Sequence, residues 1–517
     1  VTMFTGVRFA IVTLGLAAIT THAQERVLDD DAWRADITAV ASAIHEFHPR
    51  PFRKTGADEF QQQYEALLDD VPELSDRAVI VRLAALVALI DDGHTRLSLP
   101  RQHPEIGLEF GHTPTPEPEY ASLEFPQLPL MFEKFEDGIF VIAARADLAD
   151  IIGSQLVAID DTDAAAAFTA VQAITYAENE QLEALMGADR LTLPDALAAL
   201  GVSHSESELT LTLATSDGMQ IQRVISPMEP GVLAWSNAFA DGTAQLRHKH
   251  PARKFWSEYV REGNYVYMQM DEITDDDVPL AAFVSSTLQT TNEKNARLII
   301  DIRNNFGGSG GLNKTLVMSI IQNNALNQYD RTFVLIGRRT FSAAQMLVNE
   351  LEQYTRVTFV GEPTGSRPDH FGDPKKIRLE HSGLTLRVSR LHWSSYTAFD
   401  DRQSTRPDYL VKWTSEAYFA GRDPALEFAA SARDIDLKQL LRPPLAHGDL
   451  AQVGRYLLDA RRAPDTYAND FSDILLELGA EFEQDGDKDS ASFAYRVGLF
   501  FYPENEELSS ALALLDS

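Results

Sequence analysis

Apolar residues recur at helical spacing over 33–89, first through Ile37, Val40, Ala41 and Ile44, then through Val79, Leu83, Leu86 and Leu89. Pro49 and Pro51 interrupt the pattern, because proline lacks the N–H that a helix interior needs. Residues 102–126 are rich in Pro and Glu and read as an irregular connection. Short apolar runs at 139–142, 156–159 and 209–213 predict strands, and 164–174 predicts a helix. From Tyr265 the alternation sharpens. Strands are predicted at 265–270, 296–302, 332–336 and 357–360, with helices at 278–288, 312–322 and 343–354 between them. Strand alternating with helix predicts an α/β layer around a largely parallel sheet, whose sites form at the carboxyl ends of the strands. Beyond Ala425 the pattern is helical. Leu478, Gly479, Phe482, Ala491, Tyr495 and Pro503 fall at tetratricopeptide offsets, and no second copy of that pattern occurs.

Length adds domains to this picture. A chain of 517 residues exceeds what one core usually holds. The net charge of -32 repels phosphate backbones and anionic lipid, so neither nucleic acid nor a membrane surface is an expected partner. With no cysteine, the chain has no disulfide, no thiolate-ligated zinc and no thiol nucleophile. Arg8, an apolar stretch over 9–19 and Thr21-His22-Ala23 give the pattern of a secretory signal over 1–23. A polar, charged segment follows at once, and no later segment is long and apolar enough to span a bilayer. The expectation is an exported protein, periplasmic or secreted.

Two loops carry candidate chemistry. Asp301-Ile302-Arg303-Asn304-Asn305-Phe306-Gly307-Gly308-Ser309-Gly310-Gly311 joins a strand to a helix, and its four glycines leave backbone N–H groups free to face an anion. A nucleotide phosphate loop is excluded, because Asn313 stands where a glycine must precede Lys314. Thr340-Phe341-Ser342-Ala343-Ala344-Gln345 opens the next helix. Ser342 with Gln345 is a capping box; Ser342 is equally a nucleophile placed at a helix N-terminus. The glycine loop two elements earlier favours the nucleophile, with one loop supplying an anion hole and the next the hydroxyl. Such a serine needs a base. His94, in the tight turn Asp91-Asp92-Gly93-His94, is the first candidate; His370, His381 and His392 are others, as are Lys375 and Lys376 if desolvated. A carboxylate from Glu362, Asp373, Asp400 or Asp401 can complete the set.

Together these residues resemble the tail-specific, or carboxy-terminal processing, serine peptidase family. The likeness is strongest to its branch with the tricorn core and the interphotoreceptor retinoid-binding proteins. It rests on His48-Pro49, Asp92-Gly93-His94-Thr95, Asp301-Ile302-Arg303-Asn304-Asn305 with Gly307-Gly308, Phe341-Ser342-Ala343-Ala344, Gly361-Glu362-Pro363-Thr364-Gly365, Ser382-Gly383-Leu384, Pro407-Asp408 and Gly421-Arg422-Asp423-Pro424. The resemblance implies an α/β, crotonase-like catalytic core over 255–425. Around it stand an N-terminal helical part over 24–100, a degenerate PDZ-like region over 120–230 and a helical, tetratricopeptide-like extension over 426–517. It implies a serine endopeptidase without cofactor or metal, acting on polypeptides through an acyl-enzyme on Ser342. His94 becomes the base, Asp401 its orienting carboxylate, and the N–H groups of Ala343 and of Gly308 or Gly307 the oxyanion hole. The other branch of the family pairs its serine with a lysine about one strand later; Arg367 stands near there and cannot be a base. A ligand-binding protein without catalysis is the competing implication, and the C-terminal helices offer a surface for a protein partner.

Overall fold

The computed structural model describes residues 26–101, 123–228, 235–238, 245–394, 400–432, 436–462 and 470–515. The expected signal segment and most of the 102–126 connection lie outside the described residues.

The N-terminal apolar pattern folds as three helices, Asp30–Phe47, Ala57–Asp70 and Asp76–Ala88. Asp29 and Ser75 cap the first and third by accepting the N–H of Ala32 and Ala78. The first helix stops two residues short of Pro49, where its ladder cannot continue. Trp33, Ile37, Val40 and Ile44 are fully buried, and Trp33 Nε1 donates to Asp76 Oδ1 at 2.7 Å. These helices share a core with Leu379, Leu384, Leu386 and Val388, from a part of the chain some 300 residues later. There a three-stranded antiparallel sheet joins Arg96–Leu97, Thr385–Val388 and Lys375–Arg378. Asp36 fastens the layers by accepting the N–H groups of His381 and Ser382.

A second body is an antiparallel sheet in the order Leu130–Phe135, Gly138–Arg145, Gln155–Ile159, Leu209–Ala214 and Gln220–Ile225. Its inward residues alternate with outward ones, and the helix Ala164–Gln172 packs on it. All three strand expectations and the helix expectation in this region are met.

The third unit is the six-stranded sheet Tyr409–Leu410, Thr358–Gly361, Thr332–Ile336, Arg297–Asp301, Tyr265–Met270 and Phe255–Val260, in that order. Every neighbouring pair is parallel except the edge pair with Phe255–Val260. Both faces are covered, which is why the strands read as continuous apolar runs. Val266, Met268, Leu298, Ile300 and Val334 pack under the helices Leu280–Glu293, Asn313–Ile321 and Ala343–Tyr354. Tyr267, Ile299, Phe333 and Leu335 pack on the other face with Ala425, Leu426 and Ala429 of the helix Pro424–Ser431.

Two of the sequence motifs hold this unit together. Arg303 donates to both Asp301 and Asp423, with Nη1 and Nη2 each 2.7 Å from the Asp423 carboxylate. A planar guanidinium gripping two buried carboxylates ties the glycine-loop strand to the last helix of the core. Asp408 accepts from the Phe359 N–H, from Gln452 Nε2 and from the Tyr456 hydroxyl, binding the C-terminal helices to the sheet edge. Those helices run Leu437–Ala446, Leu450–Arg462, Ser472–Gln484, Lys488–Phe501 and Glu506–Leu515. Gly479 lies so close to the Tyr495 ring that a Cβ there would meet it at 2.1 Å. Among the described residues no helix is long and apolar enough to cross a membrane.

Candidate functional site

The strand Thr332–Ile336 ends in a tight turn that aims the next residues across the sheet's carboxyl end. Thr340 locks it: its N–H donates to Gly337 O at 2.8 Å and its hydroxyl to Ile302 O at 2.9 Å. Phe341 N–H then donates to Asn305 O at 3.0 Å, drawing the two loops together. Ser342 follows with φ 55° and ψ -122°. A non-glycine residue rarely adopts this backbone, and holding it there costs on the order of 1–3 kcal/mol. Ser342 makes no capping bond, and Gln345 turns instead to Asn349 Oδ1 and Thr405 Oγ1, at 2.8 Å each. Of the two readings of this serine, the capping box is therefore not formed. The Ser342 hydroxyl points away from its own helix and meets His94 Nε2 at 2.9 Å, across 248 residues of sequence.

The glycine loop lies directly against this elbow. A Cβ on Gly307 (φ 109°) would sit 2.8 Å from both Ala343 N and Ser342 Cβ. Asn305 shapes the loop: Oδ1 accepts the Gly307 N–H at 2.8 Å and Nδ2 donates to Met270 O at 2.8 Å. The expectation that Gly307 itself offers an N–H is thereby corrected, because Asn305 already holds that donor. Ser309 N–H is likewise held by Ile273 O, whereas no hydrogen bond engages the N–H of Gly308 or of Ala343 among the described residues. Gly308 (φ 130°) runs beside Ile273 so closely that a Cβ would meet Ile273 O at 2.2 Å.

His94 comes from the N-terminal layer. The turn after Asp76–Ala88 passes through Asp91 at φ 56°, and the His94 N–H donates to Asp92 Oδ1 at 3.0 Å. Burial alone would push the Asp92 carboxyl up. Hydrogen bonds from His48 and Ser389, with the neighbouring imidazoles, hold it instead well below the usual carboxylate range. Its Oδ2 also accepts from Thr95 at 2.6 Å. His48 Nδ1 accepts the Arg50 N–H at 3.2 Å, so Nε2 carries the proton that His48 offers to Asp92. The His94 ring stacks between Phe341 (centroids 4.5 Å apart) and His370 (5.9 Å). Its Nδ1 is buried without a hydrogen-bond partner, 3.9 Å from Asp92 Oδ1. Burial pushes the imidazole down to about 3, against the pull of the Asp92 charge, so His94 is neutral at pH 7 and can accept a proton.

The remaining candidates lie elsewhere. Asp401 is exposed on the loop beside the Asp400–Arg402–Glu352 ion-pair group, lining a separate cleft of about 740 Å³ against the C-terminal helices. It makes no contact with His94, and the assignment that oriented the base through Asp401 is corrected: the carboxylate nearest His94 is Asp92. Asp92 stands in the same Asp92-Gly93-His94-Thr95 motif as the base, and that adjacency is the signal in the sequence for it. Glu362 pairs with Arg338, and Asp373 with Arg390. Lys375 and Lys376 are exposed on an edge strand, Lys375 lying over the Phe47 ring at 3.6 Å, and neither reaches Ser342. Arg367 donates to Asp91 at 2.8 Å. His381 stands by Asp36, and His392 packs on Phe371. Glu178 was missed altogether; buried beside Asp92, its carboxyl is pushed up by burial while it accepts from Ser366 and from the Arg367 N–H.

No family model and no curated protein matches the chain. Solved structures do. The crystal structure of mature CPAF superposes with a TM-score of 0.53 at 13% identity, covering 81% of this chain and 98% of that one. The chain has the fold of mature CPAF. A structure of mature CPAF complexed with lactacystin gives 0.53 at 12% identity, covering 77% of this chain and 97% of CPAF. The photosystem II D1 C-terminal processing protease is also similar, with a TM-score of 0.36 at 13% identity over 77% of this chain and 96% of the other.

Proposed function

We propose that this chain is a serine peptidase that hydrolyses peptide bonds of polypeptides through an acyl-enzyme on Ser342. One observation carries the reading: a neutral, buried imidazole 2.9 Å from the hydroxyl of a serine held in a strained elbow at a helix N-terminus. His94 Nε2 takes the proton as Ser342 Oγ attacks the substrate carbonyl. The unengaged N–H groups of Gly308 and Ala343 hold the oxyanion. His94 then hands its proton to the leaving amine, and water releases the acyl group by the same route in reverse. Asp92 positions the ring and favours the imidazolium through its charge.

The motif resemblance to the tail-specific peptidases supports this chemistry. With it go the crotonase-like nature of the core, the PDZ-like nature of the antiparallel sheet region, the tetratricopeptide-like C-terminal helices and export after removal of residues 1–23. One feature favours the second reading, a ligand-binding protein without catalysis: Asp92 Oδ1 stands 3.9 Å from His94 Nδ1, beyond hydrogen-bond distance. Labelling with a fluorophosphonate separates the two, since only an activated Ser342 reacts. Lactacystin, which forms a complex with CPAF, is a suitable competitor.

Replacing Gly307 by alanine is expected to lower turnover by about two to three orders of magnitude, the cost of an obstructed oxyanion donor. The new methyl group would stand 2.8 Å from Ala343 N. Wild-type turnover by a folded Gly307→Ala protein would remove the loop from the mechanism. A substitution at Gly308 is a poorer test, because its Cβ would meet Ile273 O at 2.2 Å, a tighter backbone clash than the 2.8 Å at Gly307.

Activity is expected to stay level from pH 8 down to about 6 and to fall only near the depressed His94 value of about 3. An ordinary, solvated histidine would give a limb near pH 6.5. The pH profile of kcat/KM decides, and a limb near 6.5 means that His94 is hydrated in the working enzyme. Stability follows the opposite constraint. His94, His248 and His370 all have folded values of about 3 to 4, below the unfolded value. At these three sites the unfolded chain binds more protons, so their contribution to stability declines as pH falls below about 6.5.

A further inference from the structure

The two loops that carry Ser342 and the glycines also form one wall of a separate cavity of about 320 Å³ at the carboxyl ends of the parallel strands. Four arginines line it, and two of them are already spoken for. Arg303 is held by Asp301 and Asp423, and Arg338 by Glu362 and the Lys134 carbonyl. Arg247 and Arg339 are different. Among the described residues neither forms a hydrogen bond or an ion pair, and Arg247 Nε is buried without a partner. Each is stacked on one face, Arg247 over Trp413 at 4.7 Å and Arg339 over Phe306 at 5.7 Å. Stacking fixes the guanidinium plane and leaves its edge donors directed elsewhere.

Two half-buried, unpaired cations close to one another are costly in the free protein. Burial lowers both of their pKa values, and the Arg247 charge lowers that of Arg339 further. An anion seated between them would relieve that cost and receive forked hydrogen bonds. The surroundings choose among anions. Glu133 and Glu362 face the same cavity, and the Asp271 carboxyl, with Oδ1 unbonded, lies close enough to interact with Arg247 and Arg339. These acids tell against a phosphate dianion and leave room for a single carboxylate. Arg339 lies three residues before Ser342, and Phe306 immediately precedes the glycines, so the cavity is built on the same two loops as the elbow.

We propose that Arg247 and Arg339 form a subsite for one carboxylate of the polypeptide substrate, either its terminal carboxylate or an acidic side chain. The assignment rests on the peptidase reading for the nature of the ligand. Its test uses binding alone, so the two fail separately. The full-length Ser342→Ala protein would be titrated with one fluorescein-labelled alanine–leucine peptide in three forms: a free C-terminus, a C-terminal carboxamide, and the carboxamide with one internal glutamate. At least one carboxylate form should bind about tenfold tighter or more than the neutral form. The form that does so tells which source the subsite takes. That preference should vanish in Arg339→Gln and Arg247→Gln and persist in part in Arg339→Lys. Fluorophosphonate labelling of the same arginine variants carrying Ser342 should proceed at the wild-type rate, which controls for folding. Equal binding of the three peptides, or an undiminished preference in both glutamine variants, would overturn the subsite. Loss of labelling in otherwise folded wild-type protein would overturn the peptidase reading and leave the binding result standing.

Discussion

Ser342→Ala is expected to lower peptide turnover by about five orders of magnitude or more, the scale seen when a serine nucleophile is removed. Folding should survive, because the Ser342 side chain caps no helix and holds only the bond to His94. The complementary variant is Ser342→Gly. Its backbone sits at φ 55° and ψ -122°, where glycine rests without strain. Relief of strain worth about 1–3 kcal/mol, less about 0.5–1 kcal/mol for glycine's greater unfolded freedom, leaves a net stabilisation near 1 kcal/mol. The expected pair is thus an inactive alanine variant of unchanged stability and an inactive glycine variant that unfolds at higher denaturant. An active alanine variant sinks the nucleophile. A glycine variant less stable than wild type would show that the elbow holds no strain.

His94→Ala is expected to fall almost as far, because a serine without its base is a poor nucleophile. Lys375→Met and Lys376→Met should keep wild-type rates, both side chains being exposed on an edge strand. Comparing the three in one hydrolysis assay is decisive. If His94→Ala retains activity while a lysine variant loses it, the base has been misassigned. Asp92→Asn is a weaker intervention, because it alters the charge beside the ring and leaves the ring in place.

Much of the α/β unit was legible because a parallel sheet covered on both faces leaves long apolar strands between amphipathic helices. The helix Ala343–Tyr354 and the strands Tyr265–Met270 and Thr332–Ile336 lie where periodicity puts them. The N-terminal layer was legible as helical, but its partner was not. Nothing local in Thr385–Val388 announces that it pairs with Arg96–Leu97. The site follows the same division. Ser342 and the glycines are neighbours in sequence through one βα unit, so pattern reaches them. His94 joins them only through tertiary packing: its tight polar turn made it the first of several candidates, and the motif resemblance gave it the role of base. Asp401 misled because position along a chain says little about a loop's direction: Asp400 and Arg402 turn that loop toward Glu352 and the C-terminal helices. Asn305 stands in the quoted loop, but its role, occupying the Gly307 backbone donor, depends on tertiary geometry that no sequence pattern carries.

The Ser342–His94 bond joins two bodies with separate hydrophobic cores, one built on Trp33 and Leu386, the other on Ile300 and Leu347. Such bodies open at different free energies, and an interface between them opens before either core melts. The bond is therefore a gauge of docking. As denaturant rises, reactivity at Ser342 should vanish in a first, sub-global step, while the circular dichroism of both bodies still reads native.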